Sequence, residues 1–454
     1  MKKKIDNKLT YLGLSILLFG ILLSLSLGYS ALYGILFGIL AIYMIAFFHG
    51  YPHKELFSMM FTGIKSAWVV LLIMSIVGML IGVWMISGTI PTMMYMGFKY
   101  LSNLNFVLTA FLISSIISMV LGTSLGTIST VGLSLIGIGK GLHIPLPLLV
   151  GAIVSGSYVG DRSSPMSSSA NLTAAITKTK LIDNIKHMMN TLTPVYLFCM
   201  VFYYLMGKNY LSCGKVNHEV IHLQNLLSSN FHISFILLIP PLLIVWMAIF
   251  RFSMIKSLSI GLLSSFILII YHTQFSFSEI IYAAFIGFHP KNIAISAILS
   301  GGGLISMKNV ILIITASTAL NGILDGSGMI GPLVEKFMNK VKNVGDLILR
   351  TSFLSFIVDL TTCNQTLSII IPGKFLQSLF EEKGISKNTL ARTISDTGII
   401  LVPLIPWNAN AIVISSIFNV PVLQFVPFAL LCYLLPIITV IYGYLGFVKK
   451  NVHA

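Results

Sequence analysis

Of the 13 acidic residues in this 454-residue chain, most stand at the ends of apolar runs or in connections. Asp161, Asp325, Asp359 and Asp396 are the four that fall within or beside apolar or interrupted stretches. A charge held in such surroundings costs at least ~3 kcal/mol, so each is a candidate functional group by default. A buried carboxylate can hold Na+ through its oxygens or H+ covalently, and the two cations then compete for one place. If that place opens alternately to two sides and its empty charged form cannot turn over, competition becomes obligatory exchange. Such a site needs hard oxygen ligands around the carboxylate. The hydroxyls of Ser163, Ser164, Ser167, Ser168, Ser169, Thr361 and Thr362 and the amides of Asn171, Asn364, Asn408 and Asn410 lie in the same stretches and could supply them.

Each candidate has a structural alternative. Asp161 adjoins Arg162, and Arg392 lies four residues before Asp396, so both acids could be neutralised pairs. Asp325, in Leu324-Asp325-Gly326-Ser327-Gly328, could cap a turn, and Asp359 could sit at a helix boundary. The serines from 163 to 169 also suit close helix packing. Ten His show no metal-ligand spacing and four Cys no CxxC, so the only metal expected is Na+ at the ion-binding residues. No GxxxxGK[ST] and no spaced nucleophile, base and orienter occur, which argues against ATP use, an enzyme or a cofactor.

The elements that hold these residues follow from composition. Charged residues are 9% of the chain and hydrophobic ones 56%, with a mean hydropathy of +0.94. Too few charges remain to coat a water-facing surface, and repeated apolar runs of about 18 residues or more identify the surroundings as lipid. The reading is one all-α membrane domain over residues 1–454 with about 10–12 transmembrane helices. The net charge of +15 sits singly at segment ends, which argues for a bilayer and against nucleic acid. Lys2, Lys3, Lys4 and Lys8 before the first run, and Lys449 and Lys450 after the last, place both termini in the cytoplasm of a cell (inner) membrane protein. The first apolar run, about 11 to 27, is read as part of a retained hairpin.

Irregular backbone at membrane depth is allowed only where it lines a cavity or packs inside protein. Two such breaks occur in each half: Gly122-Thr123-Ser124-Leu125-Gly126-Thr127 and Gly160 to Asn171 in the first, Asp359 to Thr366 and Asp396 to Asn410 in the second. Corresponding breaks are roughly 235 to 240 residues apart. Paired interruptions point to a secondary transporter with two inverted repeats and a midplane site. The expected division is repeat 1 over about 60–206, a connecting segment at 207–231 and repeat 2 over about 232–447. Asp161 is the first choice for the carboxylate that is alternately protonated and cation-bound, and Asp359 or Asp396 the second. Asn171, Thr362, Asn364, Asn408 and Asn410 are the neutral ligands. Thr123, Ser124, Thr127, Arg162, Ser164, Ser167, Ser168 and Asp325 line the pathway.

Taken together, Gly122 to Thr127, Ser155-Gly156-Ser157-Tyr158-Val159-Gly160-Asp161-Arg162-Ser163-Ser164-Pro165, Gly301-Gly302-Gly303, Ser368 to Gly373, Arg392 to Gly398 and Leu404 to Asn408 resemble the NhaC-type sodium/proton antiporters of the ion transporter superfamily. The resemblance runs in order from about 120 to 410. It implies a multi-spanning antiporter with inverted repeats that exchanges inward H+ for outward Na+, with Asp161, Asn171, Asp396 and Asn408 in the transport core. The family usually writes an acid and threonines where this chain has Ser168-Ser169-Ala170, and an acid where it has Asn364, so two candidate cation ligands are neutral here. The family also includes exchangers of small organic acids and amino acids. Na+, H+ and the bilayer are therefore the expected partners, with a small organic solute as the alternative and a homodimer left open.

Overall fold

The computed structural model describes residues 7–101, 104–210, 216–250, 252–272, 275–290, 292–296, 299–329, 341–362 and 364–447. The terminal lysines Lys2, Lys3, Lys4, Lys449 and Lys450, on which the expected sidedness of the termini rests, lie outside these residues. So does 211–215 of the connecting segment.

Among the described residues the chain is helical throughout, and the only β pairing is an isolated bridge between Phe288 and Gly301. This is an all-α polytopic membrane protein. The first half contains α1 (Asn7–Ser26), α2 (Ala31–Phe48), α3 (His53–Ser66), α4 (Trp68–Ile86), α5 (Thr89–Leu101), α6 (Phe106–Leu121), α7 (Ser124–Thr127), α8 (Leu133–Gly141), α9 (Leu146–Ser163), α10 (Ser168–Thr177) and α11 (Leu181–Lys208). After α12 (Val216–Asn230) come α13 (Ile239–Ile249), α14 (Met254–His272), α15 (Phe277–Phe285), α16 (Ile293–Ser296) and α17 (Lys308–Gly326). The last part contains α18 (Val344–Thr362), α19 (Gln365–Phe375), α20 (Gln377–Glu382), α21 (Lys387–Ile394), α22 (Ala409–Phe418), α23 (Val422–Phe425) and α24 (Leu430–Leu445).

Among the described residues five helical segments are long and apolar enough to cross a membrane, and three bent pairs raise that number to eight. One of these pairs, Lys387–Leu404 with Ala409–Phe418, bends by 46°. Two shorter apolar helices, Phe106–Leu121 and Met254–Ile270, bring the candidates to the low end of the range expected from length.

The breaks have local causes. Helix α6 stops because Gly122 takes the left-handed conformation, φ 66°, which costs a residue without Cβ nothing. Helix α9 stops at Ser164, forced to an extended ψ of 139° by Pro165. Pro406 does the same to Ile405, with ψ 110°. The chain then restarts each time on a polar cap. Thr123, Ser167, Asn364 and Asn408 each accept a hydrogen bond from a backbone N–H of the next turn, as α7, α10, α19 and α22 begin.

These caps recur at a constant interval. Thr123 and Asn364, Ser167 and Asn408, and the left-handed C-caps Lys178 and Asn419 are all 241 residues apart (364 − 123, 408 − 167, 419 − 178). Their backbones match in pairs: φ/ψ of −151°/132° and −135°/109° at the first, −69°/128° and −72°/143° at the second. Helix α10 packs against α19, and α22 packs against α7 and α8, so each restarted helix leans on the opposite half. Helices α6 and α9 cross closely enough that a Cβ on Gly160 would strike the backbone of Ser118, and Ser118 Oγ there donates to the carbonyl of Ser157.

Candidate functional site

Asp161 sits in the last turn of α9, 5% exposed. Its Oδ2 accepts from Ser124 Oγ at 2.9 Å and from Gln365 Nε2 at 3.4 Å, and its Oδ1 accepts from Ser169 Oγ at 3.3 Å. Asn410 joins one bond further out, donating from Nδ2 to Gln365 Oε1 at 3.1 Å and to Tyr158 Oη at 3.4 Å. Ser124 and Gln365 open α7 and α19, and Ser169 and Asn410 are the second residues of α10 and α22. All four ring residues therefore come from restarted helices, whose N-terminal N–H groups and dipoles favour a negative charge. Ser167, the cap of α10, also donates to the carbonyl of Asp161, fixing the turn after the carboxylate. The arrangement offers a carboxylate, two hydroxyls and a side-chain carbonyl, all hard oxygens able to surround a small cation. A hydroxyl that donates to a bare carboxylate can turn its lone pairs to a cation instead.

Two cavities flank this ring. One, about 520 Å³, is lined by Thr123, Gly126, Pro165, Ser168 and Asn171, with Val69 and Ile73 of α4 and Met254 and Ser257 of α14. The other, about 580 Å³, is lined by Asn364, Thr366 and Leu367, with Glu55, Ser58 and Thr62 of α3 and Asn321 and Asp325 of α17. Thr123 and Gly126 in the first stand 241 residues before Asn364 and Leu367 in the second.

Asp396 lies next to this ring through Arg162. It occupies a π-helical turn, Ser395–Ile399, and pairs with the guanidinium of Arg162, both side chains fully buried. Thr191 Oγ1 donates to Asp396 Oδ2 at 2.9 Å, and Thr439 Oγ1 donates to the same oxygen. Arg162 also donates to Ser163 Oγ, Met188 O and Thr191 Oγ1 at 2.9, 3.0 and 2.9 Å. The pair is thus satisfied on every side and ties α9 to the 395–399 turn, α11 and α24. The cation that neutralises Asp396 is Arg162, from the other half; Arg392, fully buried, has no hydrogen-bond partner on its guanidinium among the described residues.

Asp359, buried in α18, has no hydrogen bond of standard geometry on either oxygen among the described residues, and it is not part of the ring around Asp161. Thr362 spends its hydroxyl on Val358 O at 2.7 Å. Asn171 spends its amide nitrogen on Pro165 O and Ser167 O at 3.1 and 2.6 Å, closing the loop between α9 and α10. Asn364 and Asn408 are caps, and the amide nitrogen of Asn408 is buried with no partner among the described residues. Ser164 holds Met119 O at 2.7 Å, and Thr127 holds Thr123 O at 2.9 Å. Ser168 and Asp325 are exposed at the two cavities. Gln365, Tyr158, Thr191 and Thr439 were not singled out as site residues by the sequence reading. For Gln365 the signal was its place, first after the Asn364 break; Thr191 and Thr439 lie inside long apolar helices and carry none.

Residues 156–447 match the model of the Na+/H+ antiporter family. The chain is 33% identical over 408 residues to the Na(+)/H(+) antiporter NhaC of Bacillus subtilis (strain 168), covering 89% of each chain. It is 29% identical to a malate-2H(+)/Na(+)-lactate antiporter of the same organism, covering 87% of this chain and 85% of that one. To the arginine/ornithine antiporter ArcD of Halobacterium salinarum it is 31% identical, covering 87% and 83%.

Proposed function

This chain belongs to the Na+/H+ antiporter family, and from that premise we propose that it exchanges cytoplasmic Na+ for external H+ at the carboxylate of Asp161. It is a secondary antiporter of the membrane, and the finer reading concerns where the exchange occurs. The observation that carries it is the ring of Ser124, Ser169, Gln365 and Asn410 around one buried carboxylate between two cavities. Two halves that repeat at 241 residues, each giving two restarted helices to the ring, suit a fixed site between alternately opening vestibules. In the proton-bound form Asp161 donates to Gln365 or a serine. In the Na+-bound form the serine hydroxyls and the Gln365 carbonyl turn toward the ion.

Purified protein reconstituted in vesicles tests this. Added Na+ drives proton movement with the unaltered chain and not with Asp161→Asn, whose expression and thermal stability match. Retained exchange in that variant removes Asp161 from the mechanism.

A second reading has an observation of its own. The cavity beside Ser168 and Asn171 is about 520 Å³ and, among the described residues, carries no acidic or basic side chain in its lining, room on the scale of a small organic ligand. With relatives named for malate, lactate, arginine and ornithine, a small organic acid or amino acid carried with Na+ or H+ is the alternative. Competition by such solutes against Na+-driven proton movement separates the two.

A further inference from the structure

The two cavities differ in charge. Glu55 and Asp325 line the one between α3 and α17, whereas among the described residues no ionisable side chain lines the other. The same wall carries Asn321, 5% exposed, whose amide oxygen and nitrogen both have no partner among the described residues. An amide buried and unpaired is destabilising, a cost that a ligand would relieve. Helix α17 ends at Gly326 beside the cavity, so the negative end of a nineteen-residue helix dipole adds to the two carboxylates. Helices α3 and α17 meet here backbone to backbone: a Cβ on Gly322 would strike the carbonyl of Met59. Asn321 is thus held on a wall that cannot be rearranged cheaply.

Carboxylates, an amide carbonyl and hydroxyls beside a helix C-terminus favour a hard monovalent or divalent cation over an anion. We propose that this cavity holds a second cation site, formed by Asn321 and Asp325 with Glu55, that collects Na+ and passes it to Asp161. The proposal rests on the exchange reading above. The route is short: Asn364 lines this cavity, and the next residue, Gln365, touches Asp161. Glu55 stands after two spans, α1 and α2, from an N-terminus expected in the cytoplasm, and Lys54 beside it fits the same side, so the site draws Na+ from that side.

Equilibrium binding of radioactive Na+ to the purified full-length protein, together with exchange measured with Na+ offered from one face at a time, tests the proposal. The unaltered chain binds two ions, Asp161→Asn retains one, and Asp161→Asn combined with Asn321→Leu retains none. In sided exchange, Asn321→Leu raises the half-saturating Na+ concentration about tenfold from the cytoplasmic face only, the expected size for losing one ion ligand. The effect falls on half-saturation, where damage to the fold would fall on the maximal rate. Asp325→Asn, at an exposed position that does not threaten folding, shifts half-saturation from the same face by a smaller factor. The proposal is overturned if Asp161→Asn binds no Na+, or if neither Asn321→Leu nor Asp325→Asn changes half-saturation from the cytoplasmic face. The exchange reading fails separately, if Asp161→Asn still exchanges.

Discussion

Ser124 and Gln365 are separated by 241 residues and donate to the same atom, Oδ2 of Asp161. Each is the first residue of a helix restarted after a break. Asp161 itself belongs to the first half alone: 241 residues on, the chain has Val402. A near-symmetric cradle therefore holds a single charge.

The ring makes a graded prediction. Gln365→Ala removes a direct contact to Asp161, and half-saturating Na+ should rise about tenfold, as for one lost ligand worth about 1.4 kcal/mol. Asn410→Ala acts only through Gln365 and should cost about threefold. Initial rates of Na+-driven proton movement in vesicles, measured over a range of Na+, check the order; equal effects would place Asn410 on the ion.

The Arg162–Asp396 pair predicts a loss of stability. Removing one partner of a buried pair leaves an unpaired charge, at about 3–5 kcal/mol. Arg162→Met and Asp396→Asn should each lower the thermal midpoint in detergent and the yield. Arg162→Met combined with Asp396→Leu should recover part of both. An Asp396→Asn protein of undiminished stability but without exchange would mark Asp396 as a transport group instead.

Sidedness gives a third prediction. Ser168 and Thr366 are exposed at different cavities. In a background where the four cysteines are replaced, Ser168→Cys and Thr366→Cys should react with a membrane-impermeant thiol reagent from opposite faces of sealed vesicles. Na+ should change both rates. Labelling of both from one face would remove alternating access through these cavities.

A fourth prediction concerns the breaks. Gly122→Ala puts a Cβ on a left-handed residue that faces the Met166–Ser167 backbone, a change that strains both breaks of the first half at once. Exchange should fall by about tenfold or more, from strain of 1–3 kcal/mol. Gly384, also left-handed but with open space around its Cβ position, should tolerate alanine with little loss of exchange. Similar losses at both positions would count against a special role for the break.

Much of this was legible in the sequence. Breakers in apolar runs marked all four interruptions, because Gly, Pro and small polar residues have few other uses at that depth. Asp161 stood out as one of four acids there. The pairing of Arg162 with Asp396 across 234 residues was not legible, since the nearer Arg392 offered the same charge at helical spacing. The capping role was not legible either: Asn364 and Asn408 have the chemistry of cation ligands, and in the structure their oxygens accept from backbone N–H groups of the helices they start. A side chain's type tells what it can bond, and the local backbone tells what it does bond.

Asp161 and Arg162 are consecutive, so their side chains leave α9 about 100° apart. One is fastened to the far half of the chain, and in the exchange proposed above the other carries the ion. Any rotation of that far half is therefore transmitted by Arg162 to the very turn that presents the carboxylate. Under that proposal, loading the ion and reorienting the protein act on one turn of helix, and a slipped cycle, with the protein turning while its charge stays behind, is disfavoured.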